Sequence, residues 1–314
     1  MKQVFLAFMA IAMLASCNVN YDKAKSGLIY KIFPGDGKDT AFAKPGEFAK
    51  FHISYVLSEK DSVINNSFGH VPNYSGIDTS KRSEYSAIEI LPMMRVGDSA
   101  VCIISVDTLV SRGMVNGYND QLFIKGSNIK CYIKLLQVFK TETDLIADYQ
   151  KEMDIDKERE IKQIEAYMAK NNLKGIRTKN GAFVVIENVG DTSMKADSGK
   201  QAAILYKGYL MSDNSKVFDT NMDTTKGKTG AYPVVVGTHS VIQGWDESLP
   251  YFGKGGKGKI LVPSALGYGP QGNGPDILPY SSLVFDIVVE DVTVAPKKPA
   301  RGMPEGVMPE GGAE

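Results

Sequence analysis

Val241-Ile242-Gln243-Gly244-Trp245, followed by Leu249-Pro250-Tyr251-Phe252-Gly253-Lys254-Gly255, holds the only Trp of the 314-residue chain. The segment reads as a short helix around Trp245, set between strand-like runs that end at Gly and Pro turns. Working outward, the runs Ala202 to Tyr206, Val217-Phe218-Asp219, Lys259 to Val262 and Leu283-Val284-Phe285-Asp286 are short and rich in β-branched and aromatic residues. They predict a mostly antiparallel β domain with one short helix, an α+β class. The aromatic and aliphatic residues gather within fewer than ninety residues, and no nucleophile, metal cluster or phosphate loop accompanies them. Aromatic walls with few polar groups suit chemistry in which no covalent bond breaks.

The same scaffold is expected twice. Gly27-Leu28-Ile29-Tyr30-Lys31-Ile32 echoes Gly181-Ala182-Phe183-Val184-Val185-Ile186, and Phe51 to Tyr55 echoes Ala202 to Tyr206. Leu91-Pro92-Met93-Met94-Arg95-Val96-Gly97 matches Leu249 to Gly255. In that alignment Ser83-Glu84-Tyr85-Ser86-Ala87 takes the place of Val241 to Trp245, so Ala87 replaces the Trp, and Ile64-Asn65 replaces Phe218-Asp219. Tyr55 is paired with Tyr206. Between the copies, Leu145, Tyr149 and Met153, then Ile161, Ile164 and Met168, recur at helical steps and predict a helix near 143–171. It serves either as a helix packed on its own domain or as a spacer or dimer-forming arm. The domains expected are a signal over 1–17, a degenerate first domain over 18–140, a helical linker over 141–175, a second domain over 176–294 and a disordered tail over 295–314. The tail repeats Met-Pro-Glu-Gly inexactly and has too little apolar surface to offset the entropy of ordering it.

Lys2, the apolar run Val4 to Leu14 and Leu14-Ala15-Ser16-Cys17 read as an export signal, the last four residues resembling a bacterial lipobox. The run is too short to span ~30 Å of hydrocarbon as a helix. Lipidation at Cys17 then gives the membrane anchor, in the cell envelope and at the outer membrane facing the periplasm. Cys102 and Cys131 lie in strand-like runs and read as core thiols, although two cysteines of an exported protein can also pair. The 36 basic and 36 acidic residues cancel and form no basic stripe, which argues against nucleic acid.

On these motifs, from about Gly181 to Val294, the second copy resembles the FKBP-type peptidyl-prolyl isomerases. The Val-Ile-x-Gly-Trp, Tyr268-Gly269 and Leu-Val-Phe-Asp motifs come in the family's order. The resemblance implies a bent antiparallel sheet wrapped around a short helix, repeated here, with a helical linker. It implies a pocket of Tyr206, Phe218, Asp219, Val241, Ile242, Trp245, Tyr268 and Phe285, with Tyr232 and Ile277 binding substrate. Trp245 would be its floor; Tyr206, Phe218 and Phe285 its walls. The Ile242 N–H and the Tyr268 hydroxyl would hold substrate carbonyls. No cofactor or metal is expected. Partners would be unfolded or Pro-containing clients, with a homodimer through 18–175 an option. The alternative is an envelope chaperone or binding module without turnover. Asp276 and Leu278 depart from the family pattern at the pocket rim, and the first copy is expected to keep the fold without the activity. His239 reads as a residue of a solvated turn.

Overall fold

The computed structural model describes residues 20–35, 42–59, 61–77, 85–119, 122–223 and 230–296. Cys17 with its export segment, Ser83-Glu84 and the tail from 297 lie outside them. Two compact units divide between Lys162 and Gln163, and the segment Gln271–Tyr280 groups with the first.

The first unit has seven strands: β1 (Asp22–Lys23), β2 (Ile29–Phe33), β3 (Phe48–Leu57), β4 (Ser62–Asn66), β5 (Asn73–Gly76), β6 (Ser99–Ser105) and β7 (Asn128–Phe139). Alternation along β7 sends Ile129, Cys131, Ile133 and Leu135 into the core. The sheet runs β1-β2-β6-β7-β3-β4, with β5 also on β3, and every pairing is antiparallel. A 3-10 helix, Ala87–Met93, buries Ala87, Ile90 and Leu91. Helix α1 (Val106–Ser111) follows β6, capped by Ser105 accepting from the Thr108 N–H.

The second unit contains β8 (Ile176–Arg177), β9 (Phe183–Asn188), β10 (Asp191–Lys195), β11 (Lys200–Leu210), β12 (Asp213–Thr220), β13 (Tyr232–Val235), β14 (Gly253–Lys254), β15 (Lys257–Val262) and β16 (Leu283–Val294). Its main sheet runs β12-β11-β16-β15-β9-β8, with β13 also on β11. Strand for strand this is the order of the first unit, so the duplicated fold seen in the sequence is a duplicated topology.

The pairing also corrects one equivalence. Phe51 lies opposite Asn73, and Ile204 opposite Tyr232. The Ser67 N–H donates to Ile53 O at 2.9 Å, and the Asn221 N–H donates to Tyr206 O at 3.1 Å. Ile53, not Tyr55, therefore occupies the place of Tyr206. Tyr55 faces Asn65 and Cys131, as Gly208 faces Asp219 and Phe285. Ile64-Asn65 does fall on Phe218-Asp219.

Helix α2 (Glu142–Lys170) begins with a reciprocal cap. The Asp144 N–H donates to Thr141 Oγ1 at 3.2 Å, and that hydroxyl donates to Asp144 Oδ2 at 2.7 Å. It ends before Asn172, whose φ of 54° is the left-handed conformation that stops helices. In the first unit the helix is held by polar contacts. The nearly buried Lys50 Nζ lies 2.6 Å from Asp148 Oδ2 and 2.8 Å from Glu152 Oε1, and the Tyr74 hydroxyl donates to Asp148 at 2.6 Å. That explains why Tyr149 stays exposed although it lies on the apolar stripe, touching the Tyr74 ring edge-on. In the second unit Ile164 and Met168 are buried.

Cys102 and Cys131 face each other across β6 and β7 as buried, unbonded thiols. Burial pushes Cys102 up to about 12 and Cys131 well above its usual value.

Candidate functional site

Helix α3 (Gln243–Ser248), followed by a 3-10 turn, Leu249–Tyr251, presses on β15. Gly244 makes the approach possible, because a Cβ there would stand 2.5 Å from Val262 Cγ1. The next residue, Trp245, is thereby carried against the sheet and is 4% exposed. The Tyr206 ring of β11 meets it edge-on at 5.3 Å and the Phe285 ring of β16 at 5.2 Å. Phe218 of β12 stands edge-on to Phe285 at 5.7 Å, and Tyr232 of β13 to Tyr206 at 6.4 Å. These are favourable edge-to-face separations, so the four strands and the helix place five rings in one contact chain. Tyr232, at 47% exposed, is its open end.

One carboxylate borders the rings. The Tyr206 hydroxyl donates to Asp219 Oδ2 at 2.7 Å. Burial, then this bond, then the charges of Asp219, Tyr232 and Tyr268 raise the Tyr206 pKa above its usual 10.0. Tyr268, half-buried just beyond the 3-10 turn Ser264–Leu266, is thus near enough to Tyr206 to act on it. Val241 and Ile242 lie half-buried at the start of α3, where Ile242 is the N-cap. A helix start leaves N–H groups without an intrahelical partner. The Trp245 indole N–H is likewise buried without a protein partner.

Ile277 is buried on the segment that groups with the first unit, and its carbonyl accepts from the Asn273 N–H at 2.7 Å. His239 has an 83% exposed side chain, as a turn residue should. Among the described residues, no group of three or more His, Cys, Asp or Glu side chains is placed to hold a metal ion.

Two contributors carry no motif that flags them. Gly208 keeps β11 clear beneath the walls: a Cβ there would be 2.7 Å from the Phe218 ring and 2.8 Å from the Phe285 ring. The buried Asn221 accepts from the Tyr206 N–H at 2.6 Å and donates to Ile204 O at 2.9 Å and Gly230 O at 3.0 Å. It locks the end of β12, and so Phe218 and Asp219, against β11.

An antiparallel sheet packed on a short helix, with five clustered aromatic rings and one tyrosine-bound carboxylate, is the arrangement of a prolyl-isomerase type of domain. Residues 192–290 match the family model described as FKBP-type peptidyl-prolyl cis-trans isomerase. The chain is 32% identical over 107 residues to an FK506-binding protein of Neisseria meningitidis serogroup A, covering 34% of this chain and 93% of that protein. It is 32% identical over 197 residues to the FKBP-type isomerase FkpA of Escherichia coli strain K12, covering 62% of this chain and 67% of the relative. A crystal structure of FkpA from Escherichia coli aligns with 49% of this chain and 69% of that one, at 28% identity and a TM-score of 0.37. The chain belongs to the FKBP-type peptidyl-prolyl cis-trans isomerase family.

Proposed function

We propose that the second unit speeds rotation about X-Pro bonds of exported proteins by taking the prolyl segment onto Trp245, between Tyr206, Phe218 and Phe285. The observation that carries this reading is the contact chain of those rings, closed on one side by the Tyr206–Asp219 hydrogen bond. Amide resonance sets a barrier of ~18–20 kcal/mol. The planar amide is more dipolar than the twisted one, so an apolar, water-poor pocket costs the ground state more than the transition state. The Ile242 N–H and the Tyr268 hydroxyl hold carbonyls on either side of the proline in a turn, which also favours the twisted form. Each ~1.4 kcal/mol gained this way is a tenfold rate, and no general base takes part.

The test is isomerisation of a Pro-containing peptide by the chain lacking residues 1–17. Wild-type activity with strong loss in Trp245→Ala and Phe218→Ala supports the reading; an inactive wild type, or variants of undiminished activity, refutes it. The site of action we infer is the cell envelope, through a lipid on Cys17. Radiolabelled palmitate should enter the wild type and not Cys17→Ala.

A second reading, client binding without turnover, is favoured by exposed Met93, Met114 and Tyr118 on the first unit, where Ile53 and Ala87 stand in the places of Tyr206 and Trp245. Undiminished suppression of client aggregation by inactive Trp245→Ala would support it. The exposed Ile146, Tyr149 and Ile155 of α2 favour a homodimer through 18–175, for which sedimentation should give a dimer in the wild type and a monomer in Ile146→Lys.

A further inference from the structure

Comparison of the two copies separates the carboxylates the fold uses from one it does not. The Leu-Pro register places Glu89 at Glu247 and Ile88 at Asp246. Glu247 accepts from the Thr178 hydroxyl at 2.8 Å and the Asn180 N–H at 3.3 Å, and Glu89 accepts from the Ser26 hydroxyl at 2.5 Å and the Ser26 N–H at 3.3 Å. This latch between the helix and the turn joining the first two strands exists in both units, so it belongs to the fold. At the adjoining position the first unit has an exposed isoleucine, and the second has a buried carboxylate.

The Asp246 side chain is 6% exposed, and both of its oxygens are engaged by one loop. Oδ1 accepts from the Gly237 N–H at 2.9 Å and Oδ2 from the His239 N–H at 2.8 Å. The Asp246 N–H in turn approaches Ile242 O at 3.4 Å. The Asp246 side chain therefore grips the turn 237–242 at its first half, through Gly237 and His239, while the main chain of α3 closes its last residue. The turn needs holding, because His239 has a φ of 56°, a conformation costly for a residue with a Cβ. Its last two residues are Val241 and Ile242 of the pocket.

We propose that Asp246 is a positioning residue for isomerisation, holding the turn 237–242 so that the Ile242 N–H is aimed before the peptide arrives. A donor fixed in advance need not be ordered at the transition state, whereas a loose one must be. This inference rests on the isomerase reading of the same site.

The test compares Asp246→Asn with Glu247→Gln in the chain lacking residues 1–17. The Asn amide keeps one acceptor oxygen and turns an NH₂ towards the other backbone N–H, so one of the two bonds is lost at nearly constant volume. Expected for Asp246→Asn is a fall in kcat/KM of about tenfold or more, carried by kcat, with faster amide exchange at Ile242. Glu247→Gln should lower Tm at least as much yet keep kcat/KM within about twofold. Wild-type kcat/KM in Asp246→Asn would overturn the proposal. So would activity losses in the two variants that simply track their losses of Tm. Should Asp246→Asn not fold, Asp246→Ser keeps one acceptor and carries the same expectations. An inactive wild type would overturn the isomerase reading itself, and this inference with it.

Discussion

Gly208 lies directly opposite Phe285 across β11 and β16, and a Cβ at 208 would come within 2.8 Å of the Phe285 ring. The same Cβ would stand 2.7 Å from two ring carbons of Phe218. A missing side chain on one strand thus makes room for two walls that come from two others. Gly208→Ala should displace one or both rings, costing ~1–3 kcal/mol as overpacking does. The expected outcome is a lower Tm together with a large loss of kcat/KM towards a prolyl peptide. Unchanged activity would mean that the walls give way without opening the pocket.

Asn221 tests whether the pocket carboxylate depends on a backbone latch. Truncation to Ala leaves the Tyr206 N–H and Ile204 O with lost partners at a buried position. Stranding buried polar groups costs about 1–3 kcal/mol each. Asn221→Ala should therefore lower the midpoint of denaturant unfolding and speed amide exchange at Tyr206. Ser67 makes the equivalent contacts in the first unit, accepting from the Ile53 N–H at 2.9 Å, so Ser67→Ala should destabilise without touching catalysis.

Much of this was legible beforehand, and the exceptions have physical reasons. Strand-like runs, the helix near Trp245 and the Leu-Pro match all rest on local pattern, which survives translation into three dimensions. The Tyr55–Tyr206 pairing did not survive. Side chains alternate with period two, so a two-residue slip keeps the buried face and leaves the pattern unchanged. Only the strand partners reveal that Ile53 matches Tyr206. Gly208, Asn221 and Asp246 were hidden for another reason: what they do is set by backbone groups and rings distant in sequence. Similarly, the periodicity of α2 marks a helix but leaves open what its stripe packs on, because Lys50 and its two carboxylates, not Tyr149, hold it to the first unit.

His70 gives the first unit a pH dependence. Its Nδ1 lies 2.8 Å from Arg159 Nη2, and Asp156 is 3.9 Å away but already bonded to that guanidinium. Burial first, then the Arg159 charge, pushes the His70 pKa down from 6.5 to about 4. The unfolded chain therefore takes up a proton that the folded unit refuses. The stabilisation is fully present above pH 6.5 and is lost as pH falls through about 4. Denaturant unfolding should show declining stability across that window, and His70→Gln should flatten the decline. A decline of equal slope in the variant would assign it to other groups.

Tyr55 provides the matching test on the copy without a site. It stands where Gly208 stands in the second unit, opposite Cys131 in place of Phe285. Its ring is partly buried and packs against the core, and that burial raises its pKa above the usual tyrosine value. One ring from β3 thus fills space that the second unit fills with a ring from β16. Tyr55→Ala should uncover core surface and destabilise by less than the ~3–5 kcal/mol of a fully buried aromatic truncation. The loss should appear in the unfolding of the first unit, while kcat/KM for a short prolyl peptide stays at the wild-type value. A parallel fall in kcat/KM would mean that catalysis depends on the integrity of both units.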